Sequence, residues 1–222
     1  MNRREFLESV AAATVPLPAL GRSAVSTSQL EMPTVPTVCC VNDLGDECAL
    51  RESVLGYQSA VPISPPGGRR WRTVFIYPGA LDVTGVGESI RWNLRCGGTV
   101  IVESGGAFAG HPHYGRHRHS LREELQLEVN APVDLWSGSG NAPRTPYVQL
   151  TWPLPAAVRD FSRVVPVADQ PGDVIAWAGD VPVGLVRRVS RGTLVYLGTP
   201  LGPALWAGDQ QARRWLHQVI AS

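Results

Sequence analysis

Hydrophobic and polar positions along the chain fall into two textures. Thr73 to Tyr77 (Thr-Val-Phe-Ile-Tyr) and Thr99 to Val102 (Thr-Val-Ile-Val) are β-branched and aromatic runs without polar alternation, the pattern of strands buried on both faces. Pro78-Gly79 ends the first run abruptly. Between the two, Val86, Ile90 and Leu94 recur at i, i+4 and i+8 ahead of Gly97-Gly98, which predicts a helix with a glycine stop. Strand, helix and strand joined this closely predict a right-handed βαβ unit. Upstream, Val38 to Val41 reads as a short strand ending at Asn42-Asp43. Cys48, Ala49, Val54 and Leu55 then place a helix over Gly45 to Tyr57.

Further along, Ser120-Leu121-Arg122-Glu123 has the form of a capping box, so a helix is expected to open at Ser120 with Leu121, Leu125 and Val129 as its apolar stripe. Beyond Pro132, Pro and Gly punctuate short segments through Pro155, where loops and short strands are expected. Val174 to Trp177, Val183 to Arg187 and Thr193 to Leu197 are separated by turns at Gly179-Asp180 and Arg191-Gly192 and predict an antiparallel meander. Asp209 is the expected N-cap of a last helix running to Ile220 and burying Ala212, Trp215, Leu216 and Val219.

Composition narrows the class. Lys+Arg 20 against Asp+Glu 19 gives a net charge of +1 with only 18% charged residues, so nucleic acid is not an expected partner. Apolar residues at 44% supply a core, while Gly 23 and Pro 19 without a G-X-Y period describe a loop-rich globular chain and not a fibre. Four cysteines, with Cys39 and Cys40 adjacent, do not make a disulfide framework in a chain of 222 residues; they read as small buried hydrophobes, with one bridge compatible. Of seven tryptophans, Trp136 and Trp152 fall in expected loops, where they would stack on sugar rings or serve as core and lid residues.

The N-terminus reads as targeting. Arg3-Arg4 ahead of Phe6 and Leu7, followed by the alanine-rich run Val10 to Leu20, resembles a twin-arginine export signal. That run is 11 residues and contains Pro16 and Pro18, too short and broken for a bilayer span of roughly 20 residues. Residues 1–36 are therefore expected to be signal and linker, 37–222 a single domain, and the location periplasmic or secreted with no stable membrane span after signal removal. An amphipathic N-terminal helix of the mature fold is the competing reading.

Three stretches carry a family resemblance: Phe75-Ile76-Tyr77-Pro78-Gly79-Ala80, Gly97 to Gly106 (Gly-Gly-Thr-Val-Ile-Val-Glu-Ser-Gly-Gly), and Gly192 to Gly198 (Gly-Thr-Leu-Val-Tyr-Leu-Gly). In that order they resemble the class I glutamine amidotransferase-like superfamily over about residues 37 to 222. The resemblance implies an α/β fold: a three-layer, flavodoxin-like, mostly parallel sheet with a C-terminal antiparallel meander and a closing helix. It also implies a Cys nucleophile at the turn after the third strand, oriented by a His and a Glu near the late strand. Here Ser104 stands at that turn, no cysteine is near it, and Gly198-Thr199-Pro200-Leu201-Gly202 follows the late strand without a His-x-Glu pair. Glutaminase chemistry is therefore not expected.

Two candidate sites remain. Ser104, between Glu103 and Gly105-Gly106, fits a strained elbow that presents a hydroxyl, although a Ser in a turn also caps backbone. The run His111 to His119 holds four of the five histidines and follows that elbow directly, so one of its imidazoles could serve Ser104 as a base. His111 and His113, with Ser104 and Glu103, are the candidate catalytic residues. Arg116 and Arg118 within the run would repel a cation, and no metal or other cofactor is expected. Asp43, Gly79, Asp82, Gly105 and Gly106 lie at the carboxyl ends of expected parallel strands, the rim where α/β sheets bind ligands, and are candidate binding residues; Asp43 would equally cap a helix. The first expectation is an exported amidotransferase-like domain that binds a small molecule, carbohydrate or protein partner, with homo-oligomerisation left open. The second is a Ser104 hydrolase with a base from the His111–His119 segment.

Overall fold

Eight strands form one sheet in the computed structural model of the protein. Residues 37–40, 55–61, 73–77, 86–104, 112–135, 147–159 and 163–222 are described, with backbone alone at 37–40, 73, 112 and 113. The chain divides into two units, and every described residue belongs to the second, Thr34–Ser222.

The strands are β1 (Thr37–Cys40), β2 (Thr73–Tyr77), β3 (Thr99–Glu103), β5 (Tyr147–Leu150), β6 (Ala156–Arg159), β8 (Asp173–Ala178), β9 (Val181–Val189) and β10 (Gly192–Leu197). A separate ribbon pairs β4 (Val133–Asp134) with β7 (Arg163–Val164). The helices are α1 (55–60), α2 (Val86–Arg95), α3 (Pro112–Leu125), α4 (Gly202–Trp206) and α5 (Gln210–Ala221).

The expectation of a mostly parallel, flavodoxin-like sheet is wrong. Only β1–β2, β2–β3 and β3–β10 pair parallel, whereas β10–β9, β9–β8, β8–β5 and β5–β6 pair antiparallel. The reason lies in the connections. The turns at Gly179-Asp180 and Arg191-Gly192 are too short for a crossover, so β8, β9 and β10 must run antiparallel, and the meander is the middle of the sheet instead of an appendage. β5 and β6, from the segment read only as loops and short strands, then extend that antiparallel half.

The βαβ unit β2-α2-β3 forms as expected. α2 ends in a Schellman motif, with Gly97 at φ 89° and the N–H groups of Gly98 and Gly97 bonding Asn93 O (3.0 Å) and Leu94 O (3.1 Å). α5 also follows the sequence: the Asp209 carboxylate accepts from the N–H groups of Gln211 and Ala212, and Ala212, Trp215, Leu216 and Val219 are all buried.

The capping box at Ser120 does not form, because α3 already begins at Pro112 and Ser120 lies in its middle. α3 stops at Leu125, where Gln126 turns to φ 51° and its N–H bonds Arg122 O at 2.9 Å. Val129, read as the end of the helical stripe, instead forms a bridge with Val167.

Both faces of the central strands are covered. Ile76, Ile101, Val195 and Leu197 pack with Tyr57 of α1 and with α4 and α5; Tyr77, Val100, Val102, Leu194 and Tyr196 pack with α2 and α3. Burial on both sides explains the unbroken apolar runs, each fully buried side chain contributing about 1.5–3 kcal/mol.

Candidate functional site

Strand alternation sorts the two polar residues at the end of β3. Glu103 continues the face of Ile101, and Ser104 continues the face of Val100 and Val102. Both residues are 0% exposed. Their partners show the split directly.

On one face, Tyr57 of α1 donates its hydroxyl to Glu103 Oε1, and the Leu201 N–H reaches the same oxygen at 2.9 Å. Gly56 makes this convergence possible, since a Cβ there would collide with the Gly202 carbonyl and push α1 away from the Leu201–Gly202 segment. Glu103 Oε2 has no hydrogen-bond partner among the described residues. Burial pushes the Glu103 carboxyl up to about 7, against the opposing pull of the Tyr57 and Leu201 donors.

On the other face, Ser104 Oγ lies 2.6 Å from His117 Nε2. With the ring proton on Nδ1, the serine hydroxyl donates to Nε2. The backbone fixes the serine as well, because the Ser104 N–H bonds Leu197 O at 2.7 Å and carries the β3–β10 ladder one residue past the strand. His117 is 0% exposed and sits one turn ahead of buried Leu121 and two ahead of buried Leu125, on the inner stripe of α3. Tyr114, at i−3 from His117, anchors the same helix by donating to Asn130 O at 2.7 Å. Tyr196 of β10 is fully buried on this face; burial raises its phenol far above the usual range and the neighbouring Ser104 hydroxyl opposes that rise.

Of the residues singled out in the sequence, Ser104 therefore meets a histidine of the expected run, but that histidine is His117. Glu103 faces away from both. The backbone of His113 lies in the first turn of α3, while His111, Asp43, Gly79, Asp82, Gly105 and Gly106 lie outside the described residues. A signal for His117 was present in the sequence: extending the Leu125, Leu121 stripe back by four residues lands on it. Placing the helix start at Ser120 discarded that turn. Among the described residues no cluster of three or more His, Cys, Asp or Glu is arranged to hold a metal. Nor is any described helix long and apolar enough to cross a membrane.

A serine hydroxyl in hydrogen-bond contact with an imidazole is the donor–acceptor pair that a nucleophile and its general base require in acyl transfer, and it equally serves to tie two elements together. Glu103, with a carboxyl that titrates near neutrality and no contact to that pair, is a structural or pH-responsive group on the opposite side of the sheet.

No protein-family model and no curated protein matches the chain. Solved structures resemble it in fold. The exo-β-1,4-mannosidase Op5Man5 from Opitutaceae bacterium strain TAV5 matches with TM-score 0.53 and 12% identity over 85% of this chain and 36% of its own. Gan42B, a GH42 β-galactosidase from G. stearothermophilus, matches with TM-score 0.51 and 12% identity over 86% of this chain and 30% of its own. The mmIFT52 N-terminal domain matches with TM-score 0.50 and 12% identity over 84% of this chain and 95% of its own. The chain thus spans about a third of the two glycosidases and nearly all of the third domain, and at these identities the likeness is one of fold.

Proposed function

We propose that the protein is a serine-dependent acyl hydrolase in which Ser104 is the nucleophile and His117 the general base. One observation carries this reading: the 2.6 Å contact between Ser104 Oγ and His117 Nε2 at the carboxyl end of a central parallel strand. As Ser104 Oγ attacks an ester or amide carbonyl carbon, its proton passes to His117 Nε2. His117 then returns that proton to the leaving alcohol or amine as the C–O or C–N bond breaks. Water, deprotonated by the same nitrogen, cleaves the resulting acyl-serine and restores the hydroxyl. Replacing Ser104 by Ala and screening ester and peptide substrates tests the proposal, since turnover that survives the substitution removes it.

A second reading is favoured by the complete burial of both Ser104 and His117. In it the pair only ties β3 to α3, and the chain is an amidotransferase-related domain without glutaminase activity that binds a small molecule, carbohydrate or protein partner. The recurrence of this fold as one part of sugar-active enzymes supports a binding module of this kind. No turnover in either the wild type or Ser104→Ala favours this reading. Under both readings the resemblance of the Arg3-Arg4 segment to a twin-arginine signal supports export to the periplasm or cell exterior.

A further inference from the structure

The rim opposite Ser104, where β3 and β10 begin, carries an uneven share of positive charge. A cleft of about 440 Å³ there is lined by Arg91, Arg95, Arg187 and Arg188 and by a single acid, Glu124. Arg187 and Arg188 also line a neighbouring cleft of about 500 Å³. Glu124 is spent on Arg91, with which it forms an ion pair. Four arginines less one glutamate leave three positive charges in a chain whose net charge is +1.

Part of that excess has a structural use. Arg187 donates from one terminal nitrogen to the carbonyls of Leu125 and Gln126, so it caps the end of α3, and Arg95 sits in the last turn of α2. Two helix C-termini together offset about one positive charge, which leaves roughly two uncompensated. The arginines are also preset. Arg188 is held by donation to Thr193 Oγ1 at 2.8 Å, and Arg187 Nε is buried without a hydrogen-bond partner among the described residues. Leu94, Leu125, Pro171, Val189 and Leu194 supply an apolar wall beside them.

We propose that this cleft binds a small molecule bearing an oxyanion, a carboxylate or phosphate on an apolar body, with Arg95, Arg187 and Arg188 as the anion-holding residues. Guanidinium groups suit either anion because their planar donor pairs match two of its oxygens. The volume falls in the range of small-molecule sites. The cleft lies at the opposite end of β3 from Ser104, so the proposal stands apart from the hydrolase reading.

Calorimetric titration of the full chain with pyrophosphate and, separately, with citrate at low ionic strength tests it. Arg95→Gln and Arg188→Gln, alone and together, remove charge from exposed side chains while keeping part of their stems; Arg163→Gln with Arg214→Gln removes the same charge from residues lining neither cleft. Thermal melts establish that each variant is folded. Saturable one-to-one binding of at least one anion to wild type and control, weakened tenfold or more in the Arg95/Arg188 double variant, is the expected result. No saturable binding of either anion to wild type, or equal affinity in the two double variants, would overturn the proposal.

Discussion

Glu103 and Ser104 are neighbours in sequence, both wholly buried, and have opposite physical situations. Ser104 is neutral and meets an imidazole at 2.6 Å, so its burial is matched by a hydrogen bond. Glu103 shares a single oxygen between Tyr57 and Leu201 and leaves the other unmatched, so its burial is costly in the ionised form. Two adjacent polar residues at a strand end therefore do not make one site. The pleat divides them, and the helix each one meets decides its surroundings: α3 brings an imidazole to Ser104, while α1 and the segment before α4 bring donors to Glu103.

Four experiments probe that contrast. The largest effect belongs to the base. If Ser104 turns over an ester, His117→Leu is expected to lower kcat/KM by about 10²–10⁴, whereas Glu103→Gln, on the other face, should stay within about threefold of wild type. Equal losses in the two variants would mean that the faces act as one site. Gly56→Ala comes next, because the new Cβ meets backbone and forces α1 off the Gly202 segment. A loss of about 3 kcal/mol in urea unfolding is expected, with Ser104 reactivity retained under native conditions.

The third concerns pH. Glu103 binds its proton more tightly in the folded chain, at about 7 against 4.5, so its stabilising contribution is fully present below about pH 4.5 and is lost as pH rises through about 7. The lost contribution is about 3 kcal/mol at pH 8. Glu103→Gln keeps an acceptor for Tyr57 and Leu201 but cannot ionise. Relative to wild type it is expected to gain stability between pH 5 and about pH 7 and to level off by pH 8, as read by urea unfolding at each pH; a difference that stays constant with pH would show that Glu103 does not bind its proton more tightly in the folded chain. The smallest effect is Tyr57→Phe. Loss of the hydroxyl should cost about 1 kcal/mol at pH 8 and move the wild-type transition near pH 7 upward, since that donor favours the ionised carboxylate.

Much of the fold was legible where local chemistry is decisive. The buried runs of β2 and β3, the glycine stop of α2, the meander and the Asp209 cap are each fixed by residues within a few positions of one another. The sheet's parallel-to-antiparallel balance was not legible, because it depends on β5 and β6 joining β8, a long-range pairing that the four-residue segments Tyr147–Leu150 and Ala156–Arg159 do not announce. Ser104 stood out through its glycines and its place after β3. Its partner was hidden because Ser120-x-x-Glu123 mimics a helix start, and tertiary packing carried α3 back through the histidines to Pro112.

Reaction with a fluorophosphonate, followed by mass mapping of the modified peptide, reads the nucleophilicity of Ser104 and its dependence on His117 in one assay. A single adduct on Ser104 of the native protein is expected, absent in Ser104→Ala and formed at least a hundredfold more slowly in His117→Leu. A native protein that stays unmodified, or that reacts equally fast with and without the His117 imidazole, would contradict the assignment of Ser104 as nucleophile and His117 as its base.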